Sequence, residues 1–214
     1  MTTTLTTDEL LTTTRTVRKR LDLTRPVPLE LVTGCIEVAL QAPTGGNVQG
    51  WHWLVVTEPT RRAAIGEVYR VCFERYERSP SFAGKIHADD PVRAANQRKV
   101  GASASWLAQH VGEVPVLVVP CLQTGQPLAT GNQAGLWGSL LPAVWSYALA
   151  ARYRGLGTAW TTSHLAREAE VADILGLPGG VHQGALIPTA YYTGQTFTPA
   201  ARQPVSEVLH LQGW

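Results

Sequence analysis

Thr44, Asn47 and Gln49 place one hydroxyl and two carboxamides in the stretch Ala42-Pro43-Thr44-Gly45-Gly46-Asn47-Val48-Gln49-Gly50-Trp51-His52-Trp53. A carboxamide both donates and accepts, so a pair of them suits a flat heterocycle edged with carbonyls and N–H groups. Gly45-Gly46 permit positive φ and a close approach of backbone to a ligand. Pro43 has no N–H and a fixed φ, which stops the apolar helical run before it. The short strand Leu54-Val55-Val56 follows. The competing reading is an ordinary helix-to-strand turn, and on composition alone it is the stronger.

Two other stretches change that balance. Thr14-Arg15-Thr16-Val17-Arg18 lies upstream, and Arg202-Gln203-Pro204-Val205-Ser206-Glu207-Val208 lies near the C-terminus. Taken in order, the three resemble the R-R-S-x-R, A-P-S-x-x-N-x-Q-P-W and R-x-P-x-x-E-V segments of the FMN-dependent nitroreductase family. The resemblance spreads over nearly the whole chain. It departs at Thr14, where the family often has a basic residue, at Thr16 for Ser, and at Gly50 for Pro.

The resemblance implies an α+β fold, a central mostly antiparallel sheet flanked by helices, in an interlocked homodimer with an extended C-terminal tail. It implies FMN as cofactor. Arg15, Arg18 and Arg202 would meet the FMN phosphate with forked, charge-assisted donors. Thr16 would add a hydroxyl, and Thr14 would stand where the missing basic residue belongs. Pro43, Thr44, Gly45, Asn47 and Gln49 would approach the flavin from the partner subunit. Trp160, Thr161 and Thr162 would pass along the ring near N5, with a plain core role as the competitor for Trp160. Asn96 and Lys99 resemble an Asn-x-x-Lys that some members aim at the pyrimidine edge, against the simpler reading of a solvated helix face.

The implied activity is transfer of a hydride from NAD(P)H through flavin N5 to a nitroaromatic or quinone-like acceptor, in ping-pong order. A flavin-holding protein without turnover is the alternative, as is a variant performing reductive dehalogenation, flavin cleavage or alkene reduction. The sequence holds no Gly-x-Gly-x-x-Gly and no Walker A, so a nicotinamide would be a transient substrate. It holds no Gly-x-Ser-x-Gly elbow and no evident set of Ser, His and acid. The flavin would therefore carry the chemistry, and no catalytic side chain is assigned.

Composition agrees with a folded protein. With 214 residues, 44% apolar and 16% charged, the chain suits one domain, 1–214, with a core of its own. A net charge of +2, with the cations dispersed, argues against nucleic-acid and membrane-surface partners. Cys35, Cys72 and Cys121 are far apart and odd in number, which fits reduced thiols in a cytoplasmic setting, and neither they nor the six His form a metal spacing. The uncharged run Leu122–Ala151 is long enough to span a bilayer. Its Asn, Gln, Gly, Ser and Pro residues argue instead for a helix buried between protein surfaces.

These elements must position the motifs. Thr6 and Glu9 form a capping box for a first helix ending near Thr14. Pro26-Val27-Pro28 opens a second, and Glu58-Pro59-Thr60 a third carrying Ile65, Val68, Tyr69, Cys72 and Phe73. Residues 79–91 break the pattern and read either as a packed loop or as a lid. A helix over Val92–His110, a buried strand over Pro115–Val119 and one long helix over Asn132–Arg152, kinked by Pro142, come next. Thr158–Thr162 reads as a strand, Ser163 as the cap of a helix through Leu175, and Ala185–Tyr192 as a last strand. Pro188 should put that strand at an edge or bulge. Thr196–Trp214 reads as an extended tail.

Overall fold

The structure is a computed structural model that describes residues 5–214. Five strands form one antiparallel sheet: β1 (Trp51–Val56), β2 (Val116–Gln123), β3 (Leu156–Thr158), β4 (Val181–Gln183) and β5 (Ile187–Tyr191). The order is β1-β2-β5-β3, and β4 shares the flank of β2 with β5. Among the described residues, seven α-helices surround it: α1 (Thr7–Thr13), α2 (Leu29–Ala39), α3 (Pro59–Arg78), α4 (Pro91–His110), α5 (Ala134–Gly138), α6 (Leu141–Tyr153) and α7 (Glu168–Leu175).

The sheet is buried on both faces, which makes three layers. On one face Leu117, Val119 and Leu186 pack with Ile65, Tyr69 and Phe73 of α3, Leu107 of α4 and Val171 of α7. On the other, Val116, Val118 and Ile187 pack with Val32 and Cys35 of α2 and with Val144, Tyr147 and Ala151 of α6. Double burial explains why β2 reads as an unbroken apolar run although its neighbours are antiparallel.

Local signals hold at several places. The Thr6–Glu9 capping box closes reciprocally, with Glu9 N–H donating to Thr6 Oγ1 at 3.2 Å and Thr6 N–H donating to Glu9 Oε2 at 2.8 Å. Glu58 caps α3 through the N–H groups of Thr60 and Arg61, both at 2.8 Å. Residues 79–90 hold no helix or strand, and α4 takes over at Pro91; Phe82 is buried edge-on against Phe73 and Tyr76. The loop is thus packed onto α3.

Four expectations need correction. The single helix over Asn132–Arg152 is two helices, α5 and α6, with a turn at Ser139-Leu140. Pro142 falls in the first turn of α6, where its missing N–H costs no bond, so it starts a helix and does not kink one. The helix expected from Ser163 begins as a 3-10 turn, Ser163–Arg167, and becomes α-helical only at Glu168; Ser163 is not its cap. Pro188 lies in an interior strand, paired opposite Leu117 of β2. Its nitrogen faces away from β2, so the β2–β5 pairing is spared; on the other side Ala159 N–H donates to the Pro188 carbonyl at 3.2 Å and the return bond is lost. The β3–β5 ladder skips there and resumes where Thr161 and Leu186 exchange bonds of 3.1 and 2.8 Å. The strand read as Thr158–Thr162 is therefore one pairing line, broken at the proline.

Candidate functional site

The free edge of β3 receives the N-terminal segment. Thr16 pairs in parallel with Thr158, and Val17 N–H donates to the Thr158 carbonyl at 2.8 Å. Gly157 lets this crossing come close, since a Cβ there would lie 3.0 Å from Val17 Cβ, a tight contact. The pairing sets Thr14, Arg15 and Thr16 beside Trp160, and a cleft opens between them, completed by Trp145, Ala148, Thr158 and Ile187. Two sequence-identified stretches 140 residues apart in the chain thus share one cleft.

Past Thr158 the strand end offers donors. Side chains and peptide groups alternate along extended backbone. Thr161 spends its N–H and C=O on Leu186, whereas the N–H groups of Trp160 and Thr162 have no partner among the described residues. The Trp160 side chain falls on the α6 face, and Thr161 on the α3 face, where its hydroxyl meets Tyr69 at 2.7 Å. Arg18 is half-buried near Tyr69 and Tyr76. Burial pulls its guanidinium below the ordinary arginine value, and among the described residues it has neither a carboxylate nor a hydrogen-bond acceptor.

Other motif residues are engaged or distant. Thr14 is buried, and its hydroxyl donates to the Leu10 carbonyl at 2.6 Å, closing the last turn of α1. Thr16 is exposed on its edge. Arg15 donates through Nη1 to the Thr198 carbonyl at 3.0 Å, so it also ties down the root of the tail. Arg20 does the same to the carbonyls of Thr193 and Thr196, at 2.6 and 3.0 Å, and its guanidinium lies over the Phe197 ring, as does that of Arg152. Beyond this root the tail leaves the body. Arg202 is exposed and bonds only to the neighbouring Ala201 carbonyl. Val205, Val208, Leu209, Leu211 and Trp214 are all exposed.

The Pro43–Gln49 loop also stands apart from the cleft. Gly46 takes positive φ (59°), as expected, but so do Asn47 (54°) and Gln49 (51°). A left-handed conformation is costly for most side chains and less so for Asn. Here the coiled backbone is held by Gln49 N–H donating to Thr44 Oγ1 at 3.2 Å and by Gln49 Nε2 donating to Asn47 Oδ1 at 3.0 Å. Gly45 N–H donates to Ser139 at the α5–α6 turn. Asn47, Val48 and Gln49 point into solvent. Asn96 and Lys99 are exposed on α4.

A larger hollow, about 400 Å³, runs under the outer edge of β1 between Leu54–Glu58, Arg61 and Leu175. It holds none of the candidate cofactor-binding residues, and size alone does not outweigh the chemistry of the smaller cleft. Sequence reading missed Trp145, Ala148 and Ile187. Their signal was present: Trp145 and Ala148 are three apart on one helix face, and Ile187 shares a strand face with Thr189.

These features define a three-layer α+β protein with a cation-bordered cleft at one sheet edge. The model of the Nitroreductase family matches residues 11–191, and the chain belongs to that family. Solved structures agree in fold. The FMN and NADPH-dependent nitroreductase NfnB from sphigopyxis sp. strain HMH is 21% identical, with a TM-score of 0.71 over 98% of this chain and 100% of that one. An iodotyrosine deiodinase bound to FMN and 3-iodo-L-tyrosine is 21% identical, with a TM-score of 0.67 over 94% and 96%. A BluB-like flavoprotein from Clostridium difficile 630 is 19% identical, with a TM-score of 0.67 over 97% and 99%. No helix among the described residues is long and apolar enough to cross a membrane.

Proposed function

We propose that this protein is an FMN-dependent oxidoreductase that takes a hydride from NAD(P)H and passes it to a nitroaromatic or quinone-like acceptor. One observation carries the reading: the Thr14–Arg18 segment and the Trp160–Thr162 strand end, distant in sequence, meet at one sheet edge with unused donors of both kinds. Among the described residues, Arg18 offers a half-buried cation without an anion, and Trp160 and Thr162 offer N–H groups without acceptors. A dianionic phosphate and the polar edge of a flat ring would satisfy them. Bound FMN supplies the hydride-accepting and hydride-donating centre. The chain's residues hold the phosphate, fix the ring edge and wall the cleft with Trp145 and Trp160. One cleft serving donor and acceptor in turn gives ping-pong kinetics.

The site is built from two chains in this reading. Trp145 and Tyr153 of α6 and the apolar residues of the tail are exposed in the single chain, and apolar surface of that extent calls for a cover. A second copy supplies it, bringing its Pro43–Gln49 loop to face Arg15, Arg18 and Arg202 of this chain. Asn47 and Gln49, already coiled and solvent-facing, would then reach the flavin.

The test is spectroscopic. The purified protein should be yellow or take up added FMN with one equivalent per chain, and NADH or NADPH without oxygen should bleach it. A colourless protein indifferent to FMN refutes the reading. A flavin that stays oxidised with both nucleotides leaves a binder without turnover. Co-expression of Arg18→Ala with Asn47→Ala tests the shared site: mixed dimers should regain one intact site, and mixed chains that never recover flavin refute it.

A further inference from the structure

The reading above leaves Tyr69 without a task, although it is among the largest fully buried side chains. A phenol hydroxyl in an apolar core is costly unless it is bonded. Its ring stacks with Phe73 at 6.1 Å and an angle of 17°, which fixes its direction. Its hydroxyl reaches Thr161 Oγ1 at 2.7 Å, with Ser163 and Arg18 close by. Burial pushes the phenol above its ordinary value, so it stays protonated and can donate.

Thr161 is consequently held from two sides. Its backbone is bonded to Leu186, and its side chain to α3 through Tyr69. The peptide groups on either side, with the open N–H of Trp160 and of Thr162, must then face away from β5. The ladder has already lost a bond at Pro188 just before this point, so the strand end depends on the remaining anchors for its orientation. Few anchors serve a segment that must meet a ligand within a fraction of an ångström.

We propose that Tyr69 is a positioning residue for the cofactor: through Thr161 it sets the rotation of the 160–162 strand end, and so the aim of the Trp160 and Thr162 N–H groups at the flavin edge. This rests on the FMN reading. Reduction of a flavin by a hydride places a hydrogen on N5, so donors held at that edge do not meet the two redox forms equally. Loosening them alters the ratio of the affinities for oxidised and reduced FMN, and with it the midpoint potential.

The experiment is a potential measurement on FMN-loaded Tyr69→Phe, which keeps the ring and removes only the hydroxyl. FMN stoichiometry should match the parent, while the ratio of oxidised to reduced affinity changes about tenfold, or about 30 mV for a two-electron couple. Thr161→Val should give the same shift, and the double variant no more than either alone. A parent-like potential in loaded Tyr69→Phe overturns the inference and leaves the FMN reading intact. Failure of the parent to bind FMN overturns the FMN reading itself. Should Tyr69→Phe not fold, Thr161→Ser and Thr161→Val decide: the first should keep the parent potential and the second lose it, and equal potentials overturn the proposal.

Discussion

Arg18→Met separates a cation kept for a ligand from one kept for the fold. Among the described residues of the single chain, the half-buried Arg18 guanidinium has no acid or acceptor partner, and burial already weighs against its charge. A partly desolvated charge without a partner contributes nothing favourable to the folded state. Methionine preserves most of the packing of the aliphatic stem. The FMN-free variant should therefore melt at or above the parent temperature. The loaded protein should behave oppositely. A hydrogen bond to a charged group is worth about 1.5–3 kcal/mol, so FMN affinity should fall by roughly 10- to 150-fold. Riboflavin, lacking the phosphate, should bind parent and variant about equally. Calorimetric melting of the FMN-free proteins and titration of flavin fluorescence read both effects. A variant that melts several degrees lower, with FMN affinity unchanged, would refute the reasoning and make Arg18 a structural residue.

Gly66→Ala should lower the melting temperature: helix propensity gains about 1 kcal/mol, but the new Cβ would sit 2.7 Å from Gly112 Cα and 2.8 Å from its N, and overpacking against backbone costs about 1–3 kcal/mol or more; a raised melting temperature refutes this. His164 is fully buried beside Gln183, without hydrogen-bond geometry at either ring nitrogen, and burial pushes it down from 6.5 to about 4. The unfolded chain therefore takes up a proton before the folded one does, and stability should fall by on the order of 3 kcal/mol as pH drops from the unfolded value through the folded one. Chemical denaturation from pH 7 to 4 should show that slope in the parent and a shallower one in His164→Leu, and equal slopes refute it. Deleting residues 199–214 removes Arg202 and the exposed apolar tail; the remainder should sediment as a monomer and lose FMN, and a truncated dimer that retains FMN refutes the role given to the tail.

Where one local signal decides the outcome, the sequence was sufficient. The capping box, Glu58 before Pro59 and the apolar spacing of α3 all stand as read. Each depends on neighbours within one turn of backbone. The three motifs pointed to the family for a related reason: each is a short run of particular residue types that can be read within one segment.

Tertiary structure decided what depends on partners across the sheet. Pro142 was read as a kink because composition does not reveal that Ser139-Leu140 has already ended a helix. Pro188 was read as an edge residue because its tolerance depends on which neighbour its nitrogen faces, which is a matter of pairing and not of local chain. Trp145, Ala148 and Ile187 joined the cleft only when α6 was laid against β5, and Tyr69 met Thr161 across 92 residues of chain. Residue types and spacing within single segments thus determined the helices, turns and motifs, whereas the strand order determined which of those motifs share an edge, because burial and backbone pairing between distant segments are not written in either segment alone.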